Sequence, residues 1–518
     1  MFKKLSDSIK NEIYAMENSQ LHIVYSILTF IGAIALRGFW ESYSDIPVGN
    51  LQDYTGPMIP HFFFWYIVLA LFFIIIFYFA TKEKIEKIVR VVLPFFLVLL
   101  IVPFVDIILS WGKGADITYM LPGIHHDILI RWFTLSGSTP MGMGGTIGLK
   151  VEALLATFFC FMYVFWIKRN HVVKSIIVTF IFYSTIFWWG SLPYLIYFLQ
   201  TLFQVEHIYS ETILTNFELL LILLFGSLTV FLYKKDYFKA IIKQVNPLKI
   251  AVFELLFLLG VSIGLNQTLD VAPITQETVF YWIFAPFLIF FAYLFHLFIR
   301  HIISEKLETH QSLFPLQVPY HFFKTSAIFL FIALVVYSFT IDFTTTFIIL
   351  FFVFSLYIYY NPPLTLRRIP VLSKILLSQS LLSIILLGYY FSEGRLNQFP
   401  KEIILFFILG ITLLLNFLDL KEYKFDTKHK VLTLPTLVGV KNAKIISGIF
   451  LIIIPPMIGV IVNNMILTIV LFVIGIADLI IIYKLEKSEK IIVLTNMFKI
   501  LILIFFLYSM PQLIPYTI

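Results

Sequence analysis

Residues 416–439 read NFLDLKEYKFDTKHKVLTLPTLVG. The stretch leaves a long apolar run and at once places carboxylates at Asp419, Glu422 and Asp426. At about 100° per residue these three fall within one arc of roughly 60°, with Asn416 on the same side. Lys421, Lys424 and Lys428 fall on the opposite face. A solvated helix ordinarily alternates charge so that residues three or four apart pair, at roughly 0.2–0.5 kcal/mol per pair. Here the neighbours three and four apart, Asp419 with Glu422 and Glu422 with Asp426, repel. The column is either a charged cap on a membrane helix or a set of oxygen ligands for a hard divalent cation.

The surrounding composition places the stretch in a membrane. Of 518 residues, 60% are hydrophobic and 13% charged, and mean hydropathy is +0.94. Such values describe a polytopic membrane chain. Fifteen apolar runs of spanning length follow one another, centred near residues 30, 70, 100, 157, 185, 223, 258, 288, 331, 351, 382, 410, 453, 473 and 501. The expected fold class is therefore all-α, with about 15 transmembrane helices. The first 20 residues carry Lys3, Lys4 and Lys10 and read as a surface helix on the cytoplasmic face. The single cysteine, Cys160, excludes a disulfide framework and a cysteine metal site.

Charge fixes the expected orientation. With a cytoplasmic N-terminus, thirty of the 37 basic residues fall in inner segments. Only Arg37, Lys113, Arg131, Arg395 and Lys401 fall outside, and Lys150 and Lys499 fall within spans. The C-terminus then lies outside, in a cell membrane crossed many times. The net charge of +7 is spread in short clusters between apolar runs, which sets nucleic acid aside as a partner. A basic amphipathic segment, KKDYFKAIIKQVNPLK at 234–249, marks a boundary between a six-helix module, 1–233, and a nine-helix module, 234–518.

Two further inner loops belong with the opening stretch. Residues 360–371 carry Tyr360, Pro362, Pro363, Arg367, Arg368 and Pro370. Residues 300–319 place His301, Glu305 and Glu308 on one face. Two acidic segments with arginines beside them suit the binding of a divalent ion and a diphosphate.

On these residues the second module resembles the UbiA-type intramembrane prenyltransferase superfamily, over about residues 237–518. The spacing D-x-x-D-x-x-x-D followed by T-L-P is matched by Asp419, Glu422 and Asp426, then Thr433, Leu434 and Pro435, with Glu at the middle position. The tyrosine–proline–basic loop is matched by Tyr360 to Pro370, and Asn246-Pro247 is similar to the family's entry helix. In the first acidic motif only Glu305 matches as a carboxylate, with Glu308 one residue off, while His301, Ile302 and Thr309 depart.

The resemblance implies a nine-helix bundle that transfers a prenyl group from a polyprenyl diphosphate to a lipid or aromatic acceptor within the bilayer. It implies Mg²⁺ held by Asp419, Glu422, Asp426, Glu305 and Glu308. Arg367 and Arg368 would neutralise the leaving diphosphate, and Asn416, Lys428 and Tyr360 would help bind it. The alternative is a non-catalytic prenyl-lipid-binding or transport protein of the same fold.

The first module resembles no family. Its ionisable residues within apolar runs are Asp106, near the outer end of the third span, Lys150 and Glu152, near the start of the fourth, and Glu218, inside the sixth, a set that an ion-coupled transporter could use. Arg37 and Glu41, four apart, are expected to pair. The outer segment 111–147 carries His125, His126 and Asp127 with a glycine-rich run, and reads as a re-entrant or flexible loop.

Overall fold

The computed structural model describes residues 2–19, 23–45, 58–111, 132–133, 146–192, 211–267, 288–299, 302, 320–360, 366, 369–392, 395–428, 431–484 and 488–509. Every regular element among them is helical. A chain this apolar must satisfy its backbone within each segment, because hydrocarbon offers no partner for an N–H or C=O group. Among the described residues ten helices are long and apolar enough to cross a membrane, and five apolar helices are shorter. Each of the fifteen apolar runs expected from the sequence falls on one of these helices.

The chain divides into two compact units, Met1–Lys239 and Ala240–Ile518. In the first, an aromatic core forms where Phe73 stacks on Phe182 and Phe77 meets Tyr163 edge-on. The N-terminal helix Phe2–Glu17 is seated rather than loose. Glu17 is 3% exposed, its Oε1 accepts from the Tyr163 hydroxyl at 2.8 Å, and Lys168 Nζ lies 2.6 Å from the same oxygen. Glu83 joins the other side of Lys168 at 3.3 Å.

Two of the ionisable residues within the spans of this unit, Glu152 and Asp106, are bound into its packing. Arg37 reaches Glu152 on another helix at 2.8 Å and lies over the ring of Tyr66. The sequence pointed Arg37 towards Glu41, whose side chain lies outside the described ones. Asp106 Oδ1 accepts from the Gly148 amide at 2.8 Å and so serves the first turn of the helix Ile147–Phe161, which Thr146 also caps. Residues 112–131 and 134–145, with His125, His126 and Asp127, lie outside the described residues.

In the second unit, consecutive helix contacts close a ring. Val440–Ile461 packs on Met465–Lys484, then come Ser488–Ser509, Pro247–Gln267 and Pro370–Phe391. The helical rod beginning at Lys401 returns the ring to Val440–Ile461. Phe343–Tyr360 and Tyr320–Ile341 lie against Pro370–Phe391 in turn. Inside the ring is an apolar gap lined by Leu259, Phe406, Phe407, Ile458 and Leu503 among others.

One crossing in that ring depends on small residues. On Pro247–Gln267, Gly260 lies against Pro370–Phe391 at Ile385 and Tyr389, Gly264 four residues on lies against Ser392, and Gly388 lies against Phe257 in return. A Cβ at Gly388 would overlap the Phe257 carbonyl oxygen, and one at Gly260 would overlap that of Ile385. Both obstacles are backbone, so the helices themselves would have to part. Gly388→Ala is therefore expected to destabilise the protein in detergent by about 1–3 kcal/mol. Gly226→Ala, in a helix interior where a Cβ meets open space, should leave the melt unchanged or raise it. Equal thermal melts for the two variants would contradict the close crossing.

Candidate functional site

The acidic column stands at the end of a rod whose winding changes three times. From Lys401 the chain is α-helical to Leu405, wide π-type from Phe406 to Ile411, and α again from Thr412 to Leu414. A tight 3₁₀ segment, Leu415–Leu418, follows, and the short helix Asp419–Lys428 begins at the first acid. Both irregular windings are uncommon within a helix and gather at functional positions. Lys401–Leu418 is one of the ten spanning helices, so Asp419 stands at the end of a span.

Asp419 and Asp426 are both buried, at 8% and 1% exposure. Seven residues apart, they share one face of the helix about 10 Å apart along its axis. Lys428 closes the helix, and the Val431 amide folds back to the Asp426 carbonyl at 2.9 Å. Thr433 and Thr436 then form a capping box, with the Thr433 amide donating to Thr436 Oγ1 at 2.7 Å. Pro435 occupies the first turn of Leu434–Val438, where its missing N–H costs nothing. Gly439, at φ 82°, turns the chain into Val440–Ile461. The T-L-P stretch is thus a rigid corner that returns the chain from the acidic helix to the ring. Beneath that helix Phe417, Leu451, Ile482 and Ile492 form a small apolar cluster.

Sequence reading missed the residue that touches Asp419. Lys374 lies one turn into Pro370–Phe391, is buried, and forms an ion pair with the Asp419 carboxylate. On the same helix, one turn further, the Ser378 hydroxyl donates to the Phe407 carbonyl in the π segment. One helix therefore grips both the acidic helix and the irregular rod that carries it. In the sequence Lys374 counted only as one more inner basic residue after Arg367 and Arg368. Its isolation at the start of an apolar run was the available signal.

A second buried pair also escaped notice. Asp478, fully buried on Met465–Lys484, receives the Lys499 ammonium at 2.5 Å and the Thr495 hydroxyl at 2.5 Å, both from Ser488–Ser509. Lys499 was visible as a basic residue within a span. Its acid, 21 positions earlier, was not connected to it.

The other expected site residues are distributed as follows. Asn416 lies in the 3₁₀ turn, and its amide donates to the Leu413 and Thr412 carbonyls at 2.9 and 3.3 Å. Glu422 lies on the acidic helix between the two aspartates, Lys428 at its end, and Tyr360 at the end of Phe343–Tyr360. The side chains of these last three lie outside the described ones, as do Glu305, Glu308, Arg367 and Arg368 altogether. Among the described residues no three His, Cys, Asp or Glu side chains are grouped closely enough to hold an ion. The donor chemistry nevertheless suits a hard divalent cation, since the buried face offers carboxylate oxygens. With about 10 Å between its two aspartates, that face suits separate ions rather than one shared by both.

Comparison with known proteins places these residues in a family. Residues 318–508 match the model of the UbiA prenyltransferase family, and the N-terminal half has no family match. Residues 318–508 are thus similar to the UbiA prenyltransferase family, and the protein is an integral, multi-pass membrane protein. Similar solved structures include a UbiA homologue from Archaeoglobus fulgidus bound to DMAPP and Mg²⁺. It is 15% identical, over 52% of this chain and 99% of that one, with a TM-score of 0.39. A structure of digeranylgeranylglyceryl phosphate synthase in membranes is 16% identical over 53% and 99%, with a TM-score of 0.39. No curated protein sequence matches the chain.

Proposed function

We propose that the unit Ala240–Ile518 transfers a prenyl group from a polyprenyl diphosphate to a hydrophobic acceptor, a lipid or an aromatic compound, within the membrane. The observation that carries this reading is the buried pair Asp419 and Asp426 on one helix face at the end of a span, inside the segment that matches the prenyltransferase family. Asp419, Glu422 and Asp426, together with Glu305 and Glu308, would hold Mg²⁺. Bound there, Mg²⁺ would supply positive charge to a leaving diphosphate.

The remaining steps belong to the chain itself. Arg367 and Arg368 would donate to phosphate oxygens as charge develops on them, a preorganised electrostatic contribution of the largest kind. The bond between the prenyl C1 and the diphosphate oxygen breaks, and its electron pair leaves with the diphosphate. The acceptor's nucleophile bonds to C1 and its proton is lost. An apolar, water-poor space between the helices would take the prenyl tail and keep water from the allylic cation. The excess of basic residues in alternate loops supports a cytoplasmic N-terminus, an outer C-terminus and a diphosphate site on the cytoplasmic side of the cell membrane.

The test is direct. Purified protein with Mg²⁺, labelled prenyl diphosphates of several chain lengths and membrane-lipid or aromatic acceptors is expected to release diphosphate, and chelation should abolish the release. A folded protein that releases none from any donor would sink the catalytic reading. A second reading, a non-catalytic prenyl-lipid-binding protein, is favoured by one observation: Asp419 already carries a cation, Lys374. It requires prenyl-lipid binding that is indifferent to Mg²⁺.

A further inference from the structure

The contact between Lys374 and Asp419 sets a lysine against a carboxylate that the proposed function assigns to a divalent ion. Their side chains are 7% and 10% exposed, so both charges have lost most of their hydration. Neither can then be stranded cheaply, because an uncompensated buried charge is far costlier than the intact pair. An ammonium and a hard divalent ion seek the same carboxylate oxygens and cannot share them at full strength. An ion that arrives alone competes with Lys374 for the same carboxylate and draws the ammonium's anion away from it. An ion that arrives with a diphosphate brings both the replacement cation for Asp419 and new anionic oxygens for Lys374.

Lys374 is suited to such an exchange. Its ammonium sits on a flexible four-carbon stem, so the head can change partners while the helix Pro370–Phe391 stays in place. The helix itself is held by the Ser378 contact to Phe407 and by the Gly388 crossing. Asp419 is likewise fixed, at the start of a helix whose far end is anchored by the Thr433–Thr436 corner.

Resting on the prenyl-diphosphate reading, we infer that Lys374 is a positioning residue that neutralises Asp419 at rest and passes to the diphosphate when ion and donor bind together. The two ligands are then coupled, and the coupling acts equally in both directions. A protein of this kind takes up little free divalent ion and is loaded by the ion–diphosphate complex.

The experiment titrates Mn²⁺ into the purified full-length protein and follows bound ion by electron paramagnetic resonance, with and without inorganic diphosphate. Wild type is expected to bind Mn²⁺ weakly alone and at least about tenfold more tightly with diphosphate present. Lys374→Met should bind Mn²⁺ alone at least about tenfold more tightly than wild type does, since the competing cation is gone. Lys374→Arg should keep the wild-type pattern. If Lys374→Met is not monodisperse, Lys374→Gln provides the same comparison.

A monodisperse Lys374→Met or Lys374→Gln protein that binds Mn²⁺ alone no more tightly than wild type overturns the inference. Wild type that binds the ion equally with and without diphosphate also overturns it. If wild type still releases diphosphate from a prenyl donor in either case, the transferase reading stands without this residue's role. Absence of Mn²⁺ binding in every arm, together with no release from any donor, removes both.

Discussion

Asp426→Asn is expected to lower diphosphate release from a prenyl donor by about 10²–10³-fold, the scale seen when one preorganised electrostatic contact to a developing charge is lost. The substitution is chosen for what it leaves alone. Asn has nearly the shape of Asp, and the substitution keeps the Asp426 backbone carbonyl that holds the turn after the acidic helix. The Thr433–Thr436 corner is equally untouched. Thermal unfolding in detergent should therefore stay close to wild type while turnover falls. Asp419→Asn makes a poorer test, because it also breaks the ion pair with Lys374 and mixes stability with chemistry. Turnover of Asp426→Asn within about threefold of wild type would remove Asp426 from the site.

Lys499→Met carries the largest expected cost in stability, about 3–5 kcal/mol. It would leave Asp478, which is fully buried, with the Thr495 hydroxyl as its one hydrogen-bond partner among the described residues. The double variant Asp478→Leu, Lys499→Met is expected to recover most of that loss, since apolar pairs of similar volume often replace buried ion pairs at little cost. Thermal and denaturant unfolding of the two variants decide the matter. A single variant as stable as wild type would mean that the pair is hydrated. A double variant as unstable as the single would mean that the loss comes from packing. The pair lies close to the proposed site: Ile482, one turn after Asp478, packs with Phe417 beneath the acidic helix.

Hydropathy made the membrane architecture legible. The apolar runs fall on apolar helices among the described residues because a segment in hydrocarbon has almost no alternative to helix. The acidic face was legible for a related reason, since Asp419 and Asp426 share one regular helix and the helical period holds between them. Asn416 shows where that reasoning stops. It lies in a 3₁₀ turn, so an angle carried from Asp419 at the α-helical period does not apply to it. Lys374 with Asp419, 45 positions apart, and Asp478 with Lys499 could not be paired from sequence. Each member was visible as a lone charge in an apolar setting. Partner choice was set by the helix ring, which no local pattern encodes.

The wide segment Phe406–Ile411 has a consequence for how this chain tolerates change in length. A π-type turn accommodates one residue more than an α turn, so it acts as slack in the rod between Lys401 and the acids. A residue removed there tightens the turn to ordinary α winding and leaves both ends facing as before. A residue removed from Thr412–Leu414, past the slack, has no such refuge. It would swing Asp419 by about 100°, away from Lys374 and off the face that the rest of the unit is built to meet.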